Sequence, residues 1–355
     1  MAFLGGSITH NAGWRDLVAE DLQKRFPDVE FEFVNAGIPS MGSTPGAFRL
    51  RRDVFGHGAV DLLFVEAAVN DSTNDRSDLE QRRAMEGIVR AAKQLGVRSV
   101  VLLHFADPAK LATYGAGRTP AVIANHQAVA EHYGVVSLDL AREVFDRIAA
   151  GEFSWKDDFR DLHPSPFGQR VYAESIARLF DAAWPDREAG SIPPPSATPE
   201  PLDPYCYSAG RLVAPDAAEA DAGWRLDPAW KPADGAGTRA GFVNVPMLVA
   251  ESAGASLRLR FHGRGAGILV AAGPDAGFVE WRVDANAWQE LDLFTRWSGG
   301  LHLPWAHVLE AELGPGAHVL ELRVGEHRNE ASRGRAVRIV NYLVNGDRDQ
   351  EAAGG

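Results

Sequence analysis

Residues 3–14 read FLGGSITHNAGW. An apolar run meets two glycines, then Ser7, then a segment that turns amphipathic. Strand, tight turn and helix in that order is how a parallel α/β sheet begins. The turn is not built to cradle phosphate. A P-loop needs a lysine close behind its glycines, and the first lysine is Lys24; the G-x-G-x-x-G dinucleotide fingerprint is absent as well. What remains is a serine presented for chemistry at a strand-to-helix turn. The rest of the chain has to supply its partners.

Working outward, four further apolar runs read as strands: FEFVNAG (31–37), DLLFVEAAVND (61–71), RSVVLLHFAD (98–107) and GVVSLDL (134–140). They are rich in Val, Leu and Phe with little alternation, as strands covered on both faces are. Helical periodicity lies between them. Trp14, Leu17, Val18, Leu22 and Phe26 share one face, and so do Leu79, Met85, Ile88, Val89, Ala92 and Leu95. The expectation for residues 1–185 is a parallel sheet with helices on both sides, and sites in such sheets form at the carboxyl ends of the strands.

A proline-rich stretch, expected as a semi-rigid linker over 186–204, ends this region. Beyond it the texture becomes short alternating strands with glycine-rich turns, among them SLRLRFHGRGAGILVAAG, FVEWRVDANAWQELDLF and AVRIVNYLVN. This predicts an all-β sandwich or jelly roll over 205–345. A polar tail is expected over 346–355.

Composition agrees with two domains. The chain has 355 residues, of which 45 % are apolar, enough for two cores. A formal net charge of -12 disfavours nucleic acid and anionic membranes as partners. No stretch is long and apolar enough to span a bilayer. Cys206 is the single cysteine, so there is no internal disulfide, and no Cys/His cluster suggests a metal. Only Met1 to Leu4 precede the glycines, a short first strand. A cytoplasmic location is the default, with secretion the alternative if a signal sequence stands upstream of these residues.

Three polar motifs accompany Ser7. NAGIPSMGS places Gly37 after the second strand, AVNDS places Asn70 after the third, and RDLHPSPFGQRVYAESI places His163 at the entry to the last helix of the first domain. Serine, glycine, asparagine and histidine blocks in this order resemble the SGNH hydrolases, the GDSL-like esterases, over residues 3 to 180. The resemblance implies a three-layer α/β/α flavodoxin-like fold and acyl transfer without a metal or organic cofactor. Ser7 would be the nucleophile and His163 the general base. The oxyanion hole would use the backbone N–H groups of Ser7 and Gly37 and the Asn70 amide, with a glycine at 37 admitting the substrate close to the backbone.

Two positions depart from the family pattern. Gly6 stands where the family carries aspartate before the serine. Arg160 stands three residues before His163, where D-x-x-H would put the triad acid. Asp161 is the favoured acid, Asp158 the alternative, and a dyad with a backbone acceptor a third arrangement. Glu66 and Asp71 flank Asn70 and are candidates for supporting it. His10 and His104 are expected to meet substrate from the first domain. Arg296, Trp297 and His302, in DLFTRWSGGLHLPWAHVL, would do so from the second, since aromatics beside cations suit sugars. The expected substrate is therefore an acylated carbohydrate, most simply an acetate ester. A carbohydrate acyltransferase on the same fold and a non-catalytic sugar-binding protein are the alternatives; no acyl tunnel for a long-chain lipase is evident in the SMGSTPG loop.

Overall fold

The computed structural model describes residues 1–184 and 197–346; most of the expected linker and residues 347–355 of the expected tail lie outside the described residues. The first sheet has the strands β1 (Ala2–Gly5), β2 (Val34–Gly37), β3 (Leu62–Glu66), β4 (Ser99–Leu103) and β5 (Val136–Leu138). All pair in parallel, in the order β2-β1-β3-β4-β5. This is the flavodoxin-like order, with its switch point between β1 and β3.

The helices are α1 (Ser7–His10), α2 (Trp14–Arg25), α3 (Ser43–Asp53), α4 (Ala68–Thr73), α5 (Asp78–Gln94), α6 (Pro108–Gly115), α7 (Ala121–Tyr133), α8 (Leu140–Ala149) and α9 (Pro166–Ala183). Successive strand residues point to opposite faces, so both faces are covered. Phe3, Phe64 and Val101 turn toward α2, α8 and α9, where Trp14, Leu22, Val144, Tyr172 and Ile176 complete one core. Phe3 stacks on Phe64 with centroids 5.4 Å apart, and Trp14 meets Phe3 edge-on at the same separation. Leu4, Val65 and Leu102 turn the other way and are equally buried.

The strands are shorter than the runs that announce them. Residues 31–33 precede β2, and the 61–71 run leaves the sheet after Glu66. The Glu66 carboxylate accepts the Val69 N–H at 3.3 Å and so opens α4, which places Asn70 inside a helix. Leu79 and Leu95, expected on the buried face of α5, lie near its two ends and are exposed.

The described part of the expected linker, 197–204, is docked rather than free. Glu86 accepts the N–H groups of Leu202 and Asp203, at 2.5 and 3.0 Å. Arg83 pairs with Asp203 at 2.8 Å, and His132 Nε2 meets the Glu200 carbonyl at 2.7 Å.

Two compact units result: Met1–Gly46 with Asp53–Cys206, and Ala47–Arg52 with the chain from Tyr207 onward. The end of α3 joins the second unit because Phe48 packs on Tyr207, centroids 5.1 Å apart, and Arg52 Nη1 donates to Asn341 Oδ1 at 3.3 Å.

The second unit is a β-sandwich. Its strands are β6 (Gly210–Val213), β7 (Glu219–Ala220), β8 (Trp224–Trp230), β9 (Val245–Ala250), β10 (Ser256–His262), β11 (Gly265–Ala272), β12 (Phe278–Val283), β13 (Gln289–Asp292), β14 (Leu303–Glu310), β15 (Ala317–Val324) and β16 (Val337–Asn345). One sheet runs β13-β12-β15-β10-β7 and the other β14-β11-β16-β9-β8, with β6 added beside β16. In β10 the alternation is clean: Leu257, Leu259 and Phe261 are buried while Arg258 and Arg260 are exposed. Ile268, Val279, Leu320, Leu322 and Tyr342 fill the same core.

Candidate active site

Ser7 begins α1 directly after β1 and the glycine turn. Its Oγ lies 2.7 Å from His163 Nε2. A general base requires the hydroxyl to donate to the ring, and this separation permits that bond. As the first residue of α1, Ser7 has a backbone N–H with no intrahelical acceptor, so it faces outward as a donor.

The histidine loop is held from two sides. Phe159 is fully buried and stacks on Trp155 at 5.3 Å, and Tyr172 of α9 meets it edge-on at 5.6 Å. Gln169, which the motif reading missed, ties the serine and histidine segments together. Its Oε1 accepts the Trp14 N–H at 2.9 Å and its Nε2 donates to the Pro164 carbonyl at 3.4 Å. A Cβ at Gly13 would overlap the Gln169 side chain. A conspicuous glycine just ahead of α2 is the available signal, but Gln169, which it packs against, lies far along the chain, 155 residues from the adjoining Trp14.

Asp161 does not reach the ring. Its Oδ1 accepts the His163 backbone N–H at 3.4 Å. Arg160 takes a left-handed φ of 76°, which turns the chain so that the Asp161 carboxylate meets the backbone instead. Asp158 is also engaged elsewhere, accepting the Ser154 N–H at 2.7 Å. In the serine-protease triad, amidation of the ring-bonded aspartate costs about 10⁴ in kcat. Without that contact, Asp161→Asn and Asp158→Asn are each expected to lower kcat less than about tenfold, measured on p-nitrophenyl acetate. A loss above a hundredfold in either would identify a ring partner.

Gly37 has a different role from the expected one. Its N–H donates to Asn35 Oδ1 at 3.0 Å, and its carbonyl accepts from His10 Nδ1 at 3.0 Å. A Cβ there would overlap the backbone of Thr9 and His10. Glycine is required for the close approach of α1, not for a substrate. The unused donor lies further along the loop. Gly42 is buried and its N–H makes no hydrogen bond among the described residues, while the neighbouring Ser43 N–H donates to Asp71. An unsatisfied buried N–H is a donor available to a ligand.

The Asn70 side-chain amide makes no hydrogen bond among the described residues, and its Oδ1 sits where a Cβ of Gly6 would be. The glycine that departs from the family pattern is thus the space into which Asn70 leans.

His104, expected to meet substrate, is instead fully buried. Its backbone N–H still pairs with Leu138 beyond β4 and its Nε2 meets Ser137 Oγ at 2.8 Å, so it lies inside the sheet layer. Burial holds its pKa well below the ordinary histidine value, and the ring is neutral. His302, in the second unit, is also buried. Its Nε2 meets Asp234 at 3.0 Å and its ring meets Trp230 edge-on at 5.2 Å, so it braces a loop. Trp297 is 46 % exposed, with the Arg296 guanidinium 5.5 Å from its ring centre. Among the described residues no three His, Cys, Asp or Glu side chains converge to hold a metal ion.

Glu66, beneath the nucleophile turn, is 2 % exposed. Burial pushes its carboxyl up to about 7 from 4.5, offset only in part by the Val69 N–H and Lys110. The folded state therefore binds a proton that the unfolded chain has released between these values, and stability falls as pH rises through that window. The shift corresponds to about 3 kcal/mol once both forms are ionised. Glu66→Gln is expected to gain about 2–3 kcal/mol over wild type at pH 8 and little at pH 4.5, read from urea midpoints. A gap independent of pH would mean that Glu66 is not buried as a neutral acid.

The profile of the GDSL-like Lipase/Acylhydrolase family matches residues 3–171. Those residues are a GDSL-like lipase/acylhydrolase domain. The β-sandwich follows this domain. Among solved structures, a two-domain esterase, CEX, active on acetylated mannans, is similar with a TM-score of 0.78 and 21 % identity, covering 98 % of this chain and 91 % of that one. Its crystal form with mannopentaose gives a TM-score of 0.77 at 21 % identity, over 98 % and 90 % of the two chains. At such identity the likeness is one of fold. A catalytic mutant of Axe2, an acetylxylan esterase from Geobacillus stearothermophilus, gives 0.43 at 18 % identity, over 50 % of this chain and 91 % of that one. A search of curated protein sequences finds no match.

Proposed function

We propose that the protein is a serine esterase that removes short acyl groups, acetyl above all, from carbohydrate hydroxyls. The observation that carries this reading is Ser7 Oγ at 2.7 Å from His163 Nε2, in a GDSL-like domain. His163 takes the Ser7 proton as Oγ attacks the ester carbonyl carbon. The oxyanion is met by the N–H groups of Ser7 and Gly42 and by the Asn70 amide. Collapse expels the sugar oxygen, which leaves with the proton from His163. Water, deprotonated by the same ring, then releases the acid and restores Ser7. In this mechanism Asp161 fixes the histidine backbone.

The substrate class rests on two supports. CEX, alike over both units, is active on acetylated mannans. Trp297 with Arg296 offers an exposed aromatic face of the kind sugars stack upon. His10 is the substrate contact proposed within the first unit. It is half-buried three residues after Ser7, and Gly37 fixes its ring through Nδ1.

The test is a chain-length series of p-nitrophenyl esters beside acetylated mannan, xylan and cello-oligosaccharides, with acetate release measured in the presence and absence of an acceptor alcohol. The expected result is a preference for acetate over octanoate and release of acetate from at least one saccharide. A preference for octanoate sinks the carbohydrate reading. Transfer to the alcohol in place of release would make the protein an acyltransferase.

A further inference from the structure

We propose that the buried Asp71–His126 pair positions the two oxyanion donors, the Gly42 N–H and the Asn70 amide. The proposal rests on the esterase reading above and adds to it the residues that hold the site in register. Asp71 directly follows Asn70 in α4, so any shift of one moves the other. Both of its carboxylate oxygens are engaged. Oδ1 accepts the Ser43 N–H at 2.8 Å, and Oδ2 lies 3.1 Å from His126 Nε2. Both side chains are fully buried. The ring nitrogen and the carboxylate oxygen are within hydrogen-bond distance, which ties the two side chains together.

The same carboxylate presses against residue 42. A Cβ there would overlap Asp71 Oδ1, so only a glycine lets the loop pack this closely on the acid. Asp71 takes the Ser43 N–H and leaves the preceding N–H without an acceptor. One side chain therefore fixes both donors, the loop through a hydrogen bond and Asn70 through the helix. His126, on α7, fixes the side chain from behind. Its Nδ1 has no partner, and the neutral His104 ring lies 5.8 Å from it. A buried polar pair is seldom retained for stability, because well-packed apolar residues of the same volume do as well. Placement beside two unsatisfied donors gives this pair its use.

The test compares two disruptive variants with their conservative counterparts: His126→Leu with His126→Gln, whose amide keeps a group able to bond the carboxylate, and Asp71→Ala with Asp71→Asn, which keeps the acceptor for Ser43. A fluorophosphonate titration of Ser7 counts folded, reactive sites. On p-nitrophenyl acetate the disruptive variants are expected to lose about 10- to 100-fold in kcat per titrated site, with KM within about threefold. A boronic acid, which forms a tetrahedral adduct on the serine, should weaken by the same factor. The conservative variants should recover most of kcat. Wild-type kcat per site in either disruptive variant, with only a lower Tm, overturns the proposal. If one of the two does not fold, the other decides by the same measure. If wild type is neither labelled at Ser7 nor active on any ester, the esterase reading fails and the pair's role falls with it; activity in wild type confines any failure to the pair.

Discussion

Ser7→Ala is expected to remove ester hydrolysis, lowering kcat by about 10⁴-fold or more, while the protein folds as before. Ser7 is half-buried, and its hydroxyl makes one side-chain hydrogen bond among the described residues, to His163. Losing it touches no core packing, so stability should stay within about 0.5 kcal/mol. His163→Ala should cost about as much, and the double variant no more than either single one, because nucleophile and base act as a unit. Steady-state kinetics on p-nitrophenyl acetate and thermal denaturation check both halves. Activity retained in Ser7→Ala would assign the chemistry to another group.

The second large effect comes from a change toward the family pattern. Gly6→Asp recreates the aspartate that the family usually carries before the serine, yet it is expected to lower kcat by about 10²–10³-fold, the cost of one oxyanion donor. The Cβ would occupy the position of Asn70 Oδ1 and come within 3.3 Å of the Met41 carbonyl. A backbone carbonyl does not yield, whereas the end of an asparagine side chain does. Asn70 swings away and the amide leaves the site. Because the displaced group is a side-chain tip, stability should fall by only about 1 kcal/mol. The decisive control is the double variant: on an Asn70→Ala background, Gly6→Asp should add little further loss in kcat. Full additivity would mean that the glycine acts through the Ser7 backbone instead. Activity at or above wild type in Gly6→Asp would remove Asn70 from the donor set.

Much of this was legible in the residues. Strands covered on both faces must be apolar throughout, so the sheet could be read from unbroken runs such as LLFVE in β3. The alternation in β10 marked a sheet with one face in a core. Ser7 and His163 stood out because each sits at a punctuated strand or helix end. Other features were hidden because they depend on contacts across the chain. Gly37 reads the same whether a helix or a substrate passes over it, and only the position of α1 decides. His104 follows an apolar run as a binding residue would, but β4 and β5 continue to pair around it. The prolines near 200 read as a semi-rigid linker, while the acid that anchors the segment, Glu86, lies in the middle of α5. The Asp161 carboxylate was read by its distance along the chain, but the left-handed turn at Arg160 decides where it goes.

Nucleophile and base are 156 residues apart, and the base enters just before α9, the last helix of the α/β unit. During synthesis the strands that present Ser7 and the donor loops emerge first. A growing chain that already displays its serine has nothing to deprotonate it. Chemical reactivity is withheld until α9 docks on α2, so a copy whose α/β unit is incomplete or unravelled is inert toward the esters around it, and an activity-based probe would label only chains in which that unit has closed.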